Sequence, residues 1–149
     1  MALPDFREDG WLPEGHHQTT WEEIVTVFGG EANSVRARVL GNLIEWRDLL
    51  RTKGINGYLI LDGSFISQKP NPGDFDTIFV GNESIEAILA HDVEAAMLVN
   101  YVYCKQRGWG DIFYFSEAAT RKFPQMCRTD GFDYDKVTRI PKGVVEVEL

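Results

Sequence analysis

The feature that most constrains this chain is the stretch LILDGSFISQKPNPGDFDTIFV, residues 59–80. Its two apolar runs, Tyr58-Leu59-Ile60-Leu61 and Phe75 to Val80, are too short for buried helices and read as buried strands. The first delivers the chain into Asp62-Gly63-Ser64-Phe65. A loop holding two prolines follows, and the second strand begins with Asp74-Phe75-Asp76. Side chains two apart on a strand share a face, so Asp74 and Asp76 project together while Phe75 turns into the core. Two carboxylates on one face repel, and a divalent cation relieves the repulsion; hard cations such as Mg²⁺ take oxygen ligands and leave room for substrate phosphates. Gly63 allows the backbone to approach a phosphate, and Ser64 adds a hydroxyl and an N–H at the same point.

The rest of the chain supplies a frame for that stretch. Residues 1–18 read as an extended arm, since Pro4, Gly10, Pro13 and Gly15 block regular structure. Thr20 with Glu22 and Glu23 marks the start of a short helix, acidic residues suiting the positive end of its dipole, and Gly29-Gly30 stops it. A longer helix, capped by Asn33 or Ser34, carries Val35, Val39, Leu43, Trp46 and Leu50 on one face and ends at Gly54. Beyond the second strand, Gly81-Asn82 turns the chain and Ser84 caps a long helix to about Arg107. Asp111 opens a third strand, Ile112 to Phe115, and Glu117 to Ile140 reads as a short helix and loops. In the tail, Val145 and Val147 alternate with Glu146 and Glu148, the period of a half-exposed strand. This order predicts one α/β or α+β domain over residues 1–149, with a small mixed sheet flanked by helices.

Composition removes several alternatives. The net charge of -8 argues against a broad, sequence-blind DNA coat, which needs a basic face, but leaves room for a small phosphate pocket. No apolar run reaches the roughly 18–20 residues of a membrane span, and no membrane partner is expected. The segment MALPDFREDGW has no apolar core, so a secretion signal is not expected. Cys104 and Cys127 lack Cys-x-x-Cys spacing and fit small packed side chains of a reduced cytoplasmic protein. His16 and His17 are adjacent and cannot make the spaced pair of a helical zinc site; His91 is read as a boundary residue. The tryptophans, Trp11, Trp21, Trp46 and Trp109, read as core or boundary aromatics.

An apolar strand, Gly-Ser, a spacer and then Asp-x-Asp together resemble the nucleotidyltransferase superfamily. Here nine residues, Phe65 to Gly73, separate Gly63-Ser64 from Asp74-Phe75-Asp76. The resemblance narrows to a group of small single-domain nucleotidyltransferase-like proteins of bacteria and phages. It rests on Leu12-Pro13-Glu14-Gly15, Thr20-Trp21-Glu22-Glu23, Val27-Phe28-Gly29, the centre with Lys69 and Pro72, and Pro141-Lys142-Gly143-Val144-Val145.

That resemblance implies a minimal nucleotidyltransferase fold and two-metal phosphoryl transfer with Mg²⁺ or Mn²⁺. Asp74 and Asp76 would hold metal and triphosphate, with Gly63, Ser64 and Lys69 on the nucleotide. The superfamily's third carboxylate is matched best by Asp111, with Glu117 in reserve. A nucleoside monophosphate would pass from a nucleoside triphosphate to a hydroxyl on RNA, protein or a small molecule. The rival expectation is a non-catalytic module that binds its partner in a toxin–antitoxin or phage-defence pair. Small size favours the module, since larger nucleotidyltransferases add a domain to hold the acceptor; retention of Asp74 and Asp76 favours the enzyme. A minimal domain could also build its acceptor site across a homodimer.

Overall fold

In the computed structural model, which describes residues 2–122 and 140–149, five strands form one mixed sheet. The strands are β1 (Gly15–Gln18), β2 (Gly57–Asp62), β3 (Phe75–Gly81), β4 (Gly110–Ser116) and β5 (Gly143–Glu148). Their order is β1-β5-β2-β3-β4. β2 lies antiparallel between β5 and β3, while β4 runs parallel to β3 and β1 parallel to β5. The expected mixed sheet with flanking helices is therefore the architecture.

The helices are α1 (Trp21–Phe28), α2 (Val35–Thr52), α3 (Ile85–His91), α4 (Val93–Leu98), α5 (Tyr101–Gln106) and α6 (Glu117–Lys122). Thr20 caps α1 by accepting from the Glu23 N–H, and Ser34, rather than Asn33, caps α2 by accepting from the Ala37 N–H. Helices α1 to α5 contribute to the same buried cluster as one face of the sheet. Ile24, Phe28, Leu43, Trp46, Leu98 and Cys104 meet Leu59, Leu61, Phe75, Phe79, Ile112, Val145 and Val147 there. Trp46 sits at its centre, packed on Phe75 and Phe79, with its indole N–H donated to the Leu98 carbonyl at 2.8 Å.

Four expectations are corrected. The long helix from Ser84 is three short ones, because Asp92 and Asn100 leave the helical conformation and use their side chains to cap α4 and α5. Ser84 makes no cap bond of its own; Asn82 Oδ1 accepts its N–H at 3.2 Å. The arm of residues 1–18 ends in a strand, β1, whose four residues pair with β5 although they carry no apolar pattern. β5 is thereby an interior strand, with Val144 as well as Val145 and Val147 buried, so it is less exposed than its alternation suggests. The short helix after Glu117 is present as α6. The remainder of that stretch, with Cys127, lies outside the described residues.

Candidate functional site

Alternation along the strands sends the second set of side chains to the opposite face. There Ile60, Ile78, Val80 and Val144 form a small buried cluster. At the end of the sheet where β2 finishes and β3 and β4 begin, this face carries charge. Asp62 is the register partner of Asp76, and Asp76 is the register partner of Asp111. Three neighbouring strands thus present three aspartates in a row, at the roughly 4.8 Å spacing of adjacent strands. Asp74, immediately before β3, joins them from the side.

Two lysines flank the row. Lys142, just before β5, places Nζ 3.0 Å from Asp62 Oδ1; both side chains are only 7% exposed. Its ammonium also lies 4.2 Å from the centroid of the Trp11 ring. On the other flank, Lys105 from α5 sets Nζ 2.8 Å from Asp111 Oδ1 and 3.2 Å from Asp74 Oδ2. Tyr101, one helical turn earlier, donates its hydroxyl to the same Asp111 oxygen at 2.9 Å. With every group ionised, four carboxylates face two ammonium groups and two negative charges are left over.

The protonation behaviour follows from that crowding. Burial, a hydrogen bond with Asp111 and the charges of Asp74, Asp111 and Asp62 push the Asp76 carboxyl up to about 7. For Asp111, burial opposes ionisation, but hydrogen bonds with Lys105, Asp76 and Tyr101 outweigh it and hold the carboxyl below the ordinary range. Of the two, Asp76 is the one that takes up a proton first as the pH falls through about 7. Lys105 is held above the usual lysine range, chiefly by Asp111 and then by Asp74.

The loop after β2 is fixed from below. Gly63 has φ +81°, and a Cβ there would lie 2.0 Å from Asp76 Oδ2. Its open side is thus occupied by a carboxylate of the row, a close approach that only glycine permits. Arg36 of α2 points its guanidinium into the loop and donates to the carbonyls of Ser64, Phe65, Ser67 and Lys69, and also to that of Phe28. One rigid fork of donors holds the whole turn.

Of the residues expected at the site, Asp74, Asp76 and Asp111 are neighbours and Gly63 lies against Asp76. Ser64 and Lys69 line a separate hollow of about 410 Å³ with Trp11, Ser67 and Gln68. Glu117 is corrected: it follows the far end of β4, where Ser116 pairs with Gly81, and lines a hollow with Asn56, Gly57 and Glu148. Five residues of strand beyond Asp111 put Ser116 about 16 Å away, so Glu117 is not a member of this cluster. Asp62, Tyr101, Lys105, Lys142 and Arg36 were not singled out as site residues by sequence. The expected packing role of Cys104 holds: it is buried, and burial pushes its thiol up to about 11. His17 Nε2 lies 2.6 Å from the Pro13 carbonyl oxygen.

The donor set is all oxygen and carries surplus negative charge, which fits a hard divalent cation. Among the described residues, no three His, Cys, Asp or Glu side chains converge as a metal-holding group. Instead, the Lys105 ammonium stands between two of the candidate ligands. Also among the described residues, no helix is long and apolar enough to cross a membrane.

A class of protein is thereby defined: a mixed α+β domain with a carboxylate row at one end of its sheet. The chain belongs to a family of unknown function, DUF6932, whose model matches residues 4–148. No curated protein and no solved structure matches it.

Proposed function

We propose that this protein is a cytoplasmic, metal-dependent nucleotidyltransferase that moves a nucleoside monophosphate from a nucleoside triphosphate to an acceptor hydroxyl. The observation that supports the reading is that Asp76 and Asp111 are register partners on β3 and β4, with Asp74 tied to Asp111 through Lys105, at the end of the sheet where the strand-Gly-Ser-loop-Asp-x-Asp stretch turns. Asp74, Asp76 and Asp111 would hold Mg²⁺ or Mn²⁺. Bound there, such ions stabilise the attacking and leaving oxygens of an in-line phosphoryl transfer. Asp111, which Lys105 and Tyr101 hold ionised, would ligate the metal beside the acceptor hydroxyl and be available to take its proton. Asp76, whose carboxyl burial and neighbouring carboxylates push up to about 7, would have to be ionised to hold a metal. Gly63, on the loop held by Arg36, would face the triphosphate, whose leaving end would have to extend into the neighbouring hollow to meet Ser64 and Lys69.

A second reading has one specific observation in its favour. Lys105 bridges Asp74 and Asp111, as expected of a module that keeps the fold, binds a partner such as a toxin or antitoxin, and performs no turnover. The deciding experiment incubates the protein with each of the four radiolabelled triphosphates, Mg²⁺ or Mn²⁺, total tRNA and cell protein. Label transfer with pyrophosphate release, lost by roughly a hundredfold or more in Asp111→Asn, supports the enzyme. Transfer unchanged by that substitution removes Asp111 from the site, and no transfer with any acceptor favours the module.

A further inference from the structure

We draw no further inference here: the strongest candidate, the exposed apolar surface that Val93, Met97, Tyr101, Val102 and Phe113 present on α4, α5 and β4, carries none because nothing in the structure shows what covers it.

Discussion

The two faces of the sheet are made by the same strands and obey opposite rules. On one, Leu59, Leu61, Phe75 and Phe79 pack against α1 to α5 around Trp46, and each side chain is buried among apolar neighbours. On the other, the residues between them run from a small apolar patch, Ile60, Ile78 and Val80, into Asp62, Asp76 and Asp111. Along β3 the alternation Phe75, Asp76, Thr77, Ile78, Phe79 assigns each residue to one regime by parity alone. The packed face can therefore stabilise the fold strongly enough to tolerate a crowd of like charges one residue away.

The sharpest way to break this contrast is to weaken the packed face. Trp46→Ala removes the aromatic shared by Phe75 and Phe79 together with its bond to the Leu98 carbonyl, and is expected to cost about 3–5 kcal/mol. Urea denaturation should read that loss as a fall in midpoint at unchanged slope. A change below about 1 kcal/mol would show that the apolar cluster is not what supports the charged face.

Slightly smaller, and on the charged face itself, is the Lys142–Asp62 pair. Lys142→Met leaves a buried carboxylate beside Asp76 and is expected to cost about 3 kcal/mol. The double variant Lys142→Met/Asp62→Asn should recover most of it, as a thermal-melt double-mutant cycle would reveal. Additive losses would mean the pair is not coupled.

Much of this contrast was legible in the sequence. The strands show as short apolar runs, and the pairing of Asp74 with Asp76 follows from the period of a strand. Thr20 and the Asn33-Ser34 pair announce their helices by cap chemistry. Other parts depend on contacts that no local pattern carries. Asp92 and Asn100 sit within a continuous helical periodicity, and only their capping bonds to Ala95 and Tyr103 show that they break it. β1 forms from His16, His17 and Gln18 because β5 offers them a backbone edge. Lys105 and Tyr101 reach Asp111 from one helix margin only once α5 has docked beside β4, and Arg36 reads as a surface arginine until its guanidinium meets the loop carbonyls. Lys142 stands in a tail far from Asp62 along the chain, and an antiparallel β5 brings it alongside.

Gly63→Ala sharpens the comparison at the junction of the two regimes. The added Cβ would lie 2.0 Å from Asp76 Oδ2, at a backbone φ of +81° that alanine disfavours. Roughly 2 kcal/mol of destabilisation is expected from strain and displacement of the carboxylate. Thermal melts at pH 6 and pH 8 would check it; an unperturbed melting temperature would show that the loop relaxes freely and that the glycine is not needed for the approach of Asp76.

The smallest expected effect has the opposite sign. The Asp76 carboxyl is at about 7 in the folded protein against 3.8 for an unperturbed aspartate. A folded-state value above the unfolded one means that the group's contribution to stability is full below about pH 4 and is lost as the pH rises through about 7. Above that point wild type holds an ionised Asp76 among Asp74, Asp111 and Asp62, whereas Asp76→Asn holds a neutral side chain of the same shape. Because Asp76 is only half-buried, solvent screening reduces the gain to about 1–2 kcal/mol at pH 8, and it should shrink toward zero near pH 4. In thermal melts this corresponds to a few degrees for a domain of this size. Millimolar Mg²⁺ should raise the wild-type melting temperature at pH 8 and leave that of Asp76→Asn nearly unchanged, since the variant has lost both the repulsion and a ligand. A stability difference that does not vary with pH would remove Asp76 as the seat of the electrostatic conflict, and the two faces would then differ in polarity without differing in strain.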